Sequence, residues 1–351
     1  MQVVSIGGGT GLSTLLTGLK EYSRGGHGDA YKEPEVEITA VVTVSDDGGS
    51  SGRLRRDFDI LPPGDIRNCM TALSEDEDLL NHLFRYRFAS GRGLKGHSFG
   101  NLFLTALHQI TGDFAQAVKL SSEILAIRGR IFPATSANVV LEAALTDGTV
   151  VRGESKISKS RCPIEKVRLL PASEPLPETL EAIAKADLIT LGPGSLYTSV
   201  IPNLLVKGLA DAINRSPAMK VYFGNLMWQP GETIHFSASQ HVAAIHAHAK
   251  CKLVDCVVLN TAPISAKLQK KYARAHVQPV ANDFTQLTKM GVKVVTADLL
   301  GEPGAEQTKI RHDPDALAEV VIDLASRSRA LQNKKRLLVE HQKQVQRRPV
   351  Q

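Results

Sequence analysis

Asp46 and Asp47 stand side by side after a β-branched run and before Gly48-Gly49-Ser50-Ser51-Gly52-Arg53. Adjacent carboxylates in such a place repel unless a metal ion, a hydroxyl or a basic partner neutralises them. Three readings stay open: magnesium ligands, a grip on a ribose hydroxyl, or a solvated loop whose charge Arg53, Arg55 and Arg56 balance. The three Gly and three Ser between Ser45 and Gly52 weaken the last reading, because such a backbone suits close ligand approach.

Two glycine-rich turns suit phosphate. Gly7-Gly8-Gly9-Thr10-Gly11 follows Val3-Val4-Ser5-Ile6 and precedes Leu12, Leu15, Leu16 and Leu19 at helical spacing. Gly8, Gly9, Thr10 and Gly11 would bring backbone N–H groups and a helix N-terminus to an anion. The dinucleotide fingerprint would need a third glycine where Leu12 stands, and no GK[ST] follows for a Walker loop. Gly192-Pro193-Gly194-Ser195 repeats the design, with Gly192, Gly194 and Ser195 as ligand candidates, unless Ser195 simply caps a helix.

Two further motifs carry polar groups at helix starts: Asp65, Arg67 and Asn68 in one, His97 and Asn101 in the other. His97 would act as a general base or donate a hydrogen bond to phosphate; plain capping is the alternative for both His97 and Asp65. Asp46, Asp47 and His97 are the candidate catalytic groups. His241, His246, His248, Cys251 and Cys256 are ligand types, but they lie in an Ala-rich helical run at spacings that match no standard zinc pattern, so no metal site is expected there.

These residues need a scaffold that gathers strand ends. The order strand, glycine turn, helix, loop, strand over residues 3–44 is the βαβ signature of a parallel sheet, whose ligands sit at the carboxyl ends of the strands. Further strands are predicted over Asp187–Leu191, Val221–Phe223, Val254–Leu259 and Val292–Thr296, with helices over Asp113–Leu125 and Leu204–Ile213. Ser23–Pro34 reads as a loop. Val139–Ile157 alternates and carries the hairpin signal Asp147-Gly148, so an antiparallel insertion over about 139–170 is predicted inside one α/β domain spanning 1–325. Leu317, Leu324, Leu331, Leu338 and Val345 recur every seven residues, but the other heptad core position is mostly polar. The expectation is one long helix with a thin apolar stripe, packed on the body or on a sister subunit; a homo-oligomer, as a dimer, is the expected assembly.

Composition narrows the function classes. The 351 residues are 42% hydrophobic and 22% charged, close to the globular average, which excludes disorder as a whole-chain description. The net charge of +6 resides in the tail: residues 326–351 carry eight Lys/Arg and one acid, leaving the remainder at −1. With 5% aromatics and the single Trp228, a nucleic-acid surface is not expected. No apolar run approaches a membrane span, no secretory signal is visible, and four cysteines show no disulfide framework, so a cytoplasmic location is expected.

Read in order, the motifs resemble the CofD-like superfamily and, within it, the gluconeogenesis-factor branch of YvcK-type proteins. The resemblance rests on Gly7–Gly11, Asp46–Arg55, Pro63–Arg67, His97–Asn101, Leu191–Ser199, Asn225–Met227 with Gln229–Thr233, and Ile310–Asp313. It implies a three-layer αβα fold with a Rossmann-like, mostly parallel sheet. It also implies a cytoplasmic protein that supports cell shape and cell-wall synthesis on gluconeogenic carbon sources and binds UDP-sugars such as UDP-N-acetylglucosamine. By the same resemblance Tyr272 and Arg311 help hold that ligand, with Asn225 among its contacts. The transferase branch moves a phospholactyl group to a deazaflavin precursor with magnesium, and Asp46 and Asp47 match its carboxylates. Trp228 departs from the small polar residue more usual there, and the basic tail is an extension. A ligand-binding regulator is therefore the leading reading and a magnesium-dependent transferase the second. A dinucleotide-dependent oxidoreductase is third, disfavoured by Leu12.

Overall fold

The computed structural model describes residues 1–23, 32–75, 79–301 and 309–346, with side chains to residue 338. Most of the expected Ser23–Pro34 loop, the Val345 side chain and the chain from 347 lie outside the described residues. Ten strands form two sheets: β1 (Gln2–Gly7), β2 (Glu37–Val42), β3 (Arg130–Pro133), β4 (Val140–Leu145), β5 (Val150–Arg152), β6 (Ile164–Leu170), β7 (Leu188–Leu191), β8 (Met219–Phe223), β9 (Cys256–Asn260) and β10 (Lys293–Ala297). The large sheet is parallel throughout, in the order β10-β9-β8-β7-β1-β2-β3. Helices cover both faces, which makes the three-layer α/β architecture expected from the resemblance. That is why Ile6, Val41, Leu188, Val221 and Val257 are all buried and belong to apolar runs without alternation.

The small sheet, β5-β4-β6, is antiparallel and is the insertion expected between β3 and β7. Thr149 N–H bonds Asp147 Oδ1 at 2.9 Å and closes the Asp147-Gly148 turn. Glu142 on the central strand accepts from Arg152 and Arg168 on its two neighbours. Two strands carry little local signal. β3 is only four residues and ends in proline, tolerated because it is an edge strand. β6 lies beyond the alternating stretch. The single helix expected over Leu204–Ile213 is a correction: Gly208, at φ +81°, separates Ile201–Leu204 from Leu209–Arg215.

The helix Gly9–Lys20 buries Leu12, Leu15, Leu16 and Leu19 completely. Against it lies the long C-terminal helix, Pro314–Gln346, close enough that a Cβ at Gly18 would stand 1.9 Å from the Pro314 carbonyl oxygen. Its heptad stripe is half used: Leu317 and Leu324 are buried, whereas Leu331 and Leu338 are 51% and 55% exposed. The helix runs through residue 326 without a break, and body contacts continue to Gln332, which donates to the Ala186 and Asp187 carbonyls. Ser328 Oγ accepts from Met219 N–H. Truncation after Ala325 removes these bonds and is expected to cost about 1–3 kcal/mol, at roughly 1 kcal/mol each, leaving a folded protein. Urea melts of the truncated and full chains check this; a truncated chain with no cooperative transition would overturn it.

Candidate functional site

The sheet order decides where the site lies. From β1 the chain winds outward through β2 and β3; after β7 it winds the other way, through β8, β9 and β10. The reversal falls between β1 and β7, which pair Val3 with Leu188 through Ile6 with Leu191. Both glycine turns leave from this one crevice, the place where open α/β sheets bind ligands. Gly192 N–H continues the ladder by bonding the Ile6 carbonyl at 2.9 Å. The loops then touch: a Cβ at Gly11 would lie 2.4 Å from the Pro193 carbonyl oxygen and 2.8 Å from Gly194 Cα. At Gly8 it would meet Thr43 Cγ2 at 2.5 Å and Asp65 Oδ2 at 2.7 Å.

A cleft of about 230 Å³ opens over these turns. Its floor is Gly8, Gly9, Thr10, Gly11, Gly194 and Ser195. One wall carries Asn225, Trp228 and Gln229, and the other carries Ile310, Arg311 and His312. Hydrogen bonds lock the first wall: Tyr222 OH to Asn225 Oδ1 (2.8 Å), Asn225 Nδ2 to the Gly194 carbonyl (3.0 Å), and Gln229 Nε2 to Ser195 Oγ (2.8 Å). Ser195 thus does not cap a helix through its side chain. It leads into a five-residue π-helix, Leu196–Val200, in which Ser199 and Val200 N–H share the Ser195 carbonyl. Such π turns recur at functional sites. Buried Glu232 fastens it, accepting from Tyr197 N–H and Thr198 Oγ1 at 3.0 Å each. Two hollows of about 320 and 300 Å³ adjoin, sharing Asn225 and Leu226 on one side and Ile310 and Arg311 on the other. A larger cavity of about 850 Å³ lies at the amino ends of β1, β2 and β3, lined by Gln2, Glu37 and Arg130. It touches neither glycine turn, so volume does not select it.

Tyr272 stands behind the cleft wall, not in it. Its hydroxyl accepts the Ile310 N–H at 3.1 Å and so positions the segment of chain that carries Arg311. His312 beside it is held neutral: burial pushes its pKa down to about 4, against a hydrogen bond to Gly224.

The remaining candidates form a second group next to the cleft. Asp65 links the two, because the Gly9 amide hydrogen-bonds its carboxyl. Burial, then the neighbouring Asp46 charge, push Asp65 up to about 6. Asp46 is itself raised by burial, although Gly48 N–H bonds its Oδ1 at 2.8 Å. Asp47 turns aside, accepting Ser155 N–H from the insertion at 2.8 Å. The insertion also delivers Glu154, a site residue missed in the sequence, whose carboxyl is raised by burial and then by Asp46, Asp65, Glu232 and Asp47. No spacing rule could reveal it, since it lies about a hundred residues from Asp46. Further along, Ser50 Oγ bonds His97 Nδ1 at 2.9 Å and Asn101 Nδ2 at 3.2 Å. Arg67 and Asn68 bond each other.

Asp46 and Asp65 suit a divalent cation in one respect: its charge would relieve their repulsion. Among the described residues, however, no three His, Cys, Asp or Glu side chains are set to hold a metal. In the His/Cys run, ring nitrogens are spent on the backbone. His241 Nδ1 and His248 Nδ1 bond helix carbonyls, and His246 Nε2 accepts Val254 N–H. No helix among the described residues is long and apolar enough to cross a membrane.

Comparison with known proteins agrees with this fold. The family described as 2-phospho-L-lactate transferase CofD matches residues 3–300. A protein named gluconeogenesis factor from Bacillus subtilis is 45% identical over 324 residues, 92% of this chain and 98% of that one. Its namesake from Halalkalibacterium halodurans is 46% identical over 322 residues, 92% and 95% of the two chains. A crystal structure of a Bacillus halodurans protein superposes with a TM-score of 0.85 at 46% identity, covering 92% of this chain and 99% of that one. With the motifs in order, the strand reversal between its two glycine turns and these relatives, the chain belongs to the CofD family and stands among its gluconeogenesis factors.

Proposed function

We propose that the cleft binds a UDP-activated sugar of the UDP-N-acetylglucosamine type and that the protein is a cytoplasmic ligand-binding regulator supporting cell shape and wall synthesis. The observation that carries this reading is the meeting of two glycine turns at one strand reversal. Backbone N–H groups of Thr10 and Gly11 would meet a diphosphate there, the Gly9 amide being spent on Asp65, and the helix Gly9–Lys20 adds its positive end. Trp228, with its indole N–H tied to the Phe236 carbonyl at 3.1 Å, supplies a fixed apolar surface for a base or sugar ring. Arg311 supplies a cation for phosphate or a carbonyl oxygen.

Titration calorimetry with UDP-N-acetylglucosamine, GTP and NADH, with and without magnesium, tests it. Saturable binding of the UDP-sugar alone is expected, weakened at least about tenfold in Arg311→Ala, the usual scale for losing one charge-assisted contact. Preference for NADH, or an unchanged affinity in Arg311→Ala, would refute the assignment.

The carboxylate group favours a second reading, a magnesium-dependent transferase of phosphorus-containing groups. Asp46 and Asp65 would hold the ion, which would neutralise phosphate charge on a substrate. Magnesium-dependent turnover in the wild type, lost in Asp46→Asn with Asp47→Asn, would establish it in place of the first.

A further inference from the structure

One cluster is absorbed by neither reading. Arg53 comes from the helix Gly49–Phe58, Arg67 from the helix Gly64–Leu73, and Arg87 from the connection leading to His97. All three converge on the turn before the helix Phe99–Thr111. A Cβ at Gly96 would lie 3.2 Å from Arg53 Nη2, and one at Gly100 would lie 2.9 Å from Arg67 Cγ. Gly96 therefore leaves room for the Arg53 guanidinium, and Gly100 for the aliphatic stem of Arg67. Arg87 Nη1 bonds the Gly96 carbonyl, and Arg53 Nη2 bonds the Lys95 carbonyl. Each spends one donor on the backbone and keeps the rest. None of the three forms a salt bridge with a described carboxylate. The acids nearest in effect are Asp65 toward Arg67 and Asp57 toward His97.

The cations feel one another. Burial first, and the Arg87 charge second, disfavour the protonated form of Arg67. Burial, then Arg53, and also Arg87, do the same at His97. His97 is 6% exposed, and these causes favour its neutral form. Ser50 Oγ accepts from Asn101 Nδ2 and also bonds His97 Nδ1, which holds the ring in place. Three like charges held together from separate elements, with a helix N-terminus beneath, form an arrangement that an oxyanion would relieve.

We propose that Arg53, Arg67 and Arg87, beside the His97 ring, form a subsite for the phosphoryl group of a second ligand, distinct from the glycine cleft. Of these four residues none lines the cleft, while Asp65 places the two regions side by side. The protein would thus read two phosphorylated compounds at once. The subsite does not depend on which nucleotide the cleft takes.

Inorganic phosphate is the probe, titrated into the full chain and followed by phosphorus NMR line broadening. One saturable phosphate is expected, weakened at least about tenfold in Arg53→Met with Arg87→Met and only a few-fold in Arg53→Lys with Arg87→Lys, since lysine keeps charge but loses the fork. Should the double methionine variant not fold, as read by circular dichroism, Arg87→Met alone on its exposed side chain serves the same comparison. Saturating UDP-N-acetylglucosamine, and separately Gly11→Val, should leave phosphate affinity unchanged. The proposal is overturned by the absence of saturable phosphate binding, by an unchanged affinity in the methionine variant, or by one-for-one displacement by the UDP-sugar. Failure of the UDP-sugar reading would show instead as no heat on titrating that compound, with the phosphate arms intact.

Discussion

Gly11→Val is expected to abolish UDP-sugar binding while the protein still unfolds cooperatively. The valine Cβ alone would stand 2.4 Å from the Pro193 carbonyl oxygen, closer than any real contact. Both residues meet there through backbone, so relief requires the two glycine turns to part. Overpacking of this kind costs about 1–3 kcal/mol, within what a domain of this size tolerates. Binding suffers more. If parting the turns misaligns two backbone N–H groups, each lost charge-assisted bond is worth about 1.5–3 kcal/mol, so affinity should fall by about a hundredfold or more. Gly7→Ala is the control: its Cβ would meet Leu12 Cβ at 3.6 Å, an ordinary contact, and binding should persist. Calorimetry on both variants decides the matter. Normal affinity in Gly11→Val would mean that the glycines only turn the chain.

Asp65→Asn should make the protein more stable at neutral pH, and the sign comes from linkage. The Asp65 carboxyl is pushed up to about 6, chiefly by burial and next by Asp46, from an ordinary value near 3.8. Between those values the folded protein keeps a proton that the unfolded chain has released. Stability from this group is therefore present below about pH 4 and lost as pH rises through about 6. A shift of this size corresponds to at most about 3 kcal/mol, and partial solvent access reduces it to about 1–2 kcal/mol. Asparagine carries no such penalty and can still accept from the Gly9 amide. The variant should melt higher than wild type at pH 7.5 and equally at pH 3.5. Equal melting at both pH values would mean that Asp65 is not strained by its neighbours. Magnesium extends the experiment: if Asp46 and Asp65 hold the ion, it should raise the wild-type melting temperature at pH 7.5 and leave Asp65→Asn unmoved.

These acids illustrate a general trade. Carboxylates that repel each other in the folded state are poor for stability and useful for binding cations or protons. Asp46 and Asp65 bear that cost next to the cleft. Asp47, their neighbour in sequence, turns to Ser155 N–H instead.

What the chain announces by itself is local. The turn after β1 and the leucines at 12, 15, 16 and 19 can be read from residue types a few positions apart, because helix and strand periodicities are short-range. The Asp147-Gly148 hairpin is legible for the same reason, and so is the heptad stripe of the C-terminal helix. Which part of that stripe is buried is not local: Leu324 is 3% exposed and Leu331 51%, because cover from the body thins out toward Gln332. The site belongs to the tertiary structure in the same sense. Gly11 and Pro193 are nearly two hundred residues apart, and only the pairing of β1 with β7 makes their turns neighbours. Glu154 comes from the insertion to join Asp46 and Asp65, and Tyr272 turns out to support Arg311 through the Ile310 N–H. Residue types limit what each group can do chemically. Strand order and register decide which groups meet, because parallel pairing joins segments whose separation along the chain leaves no periodic trace.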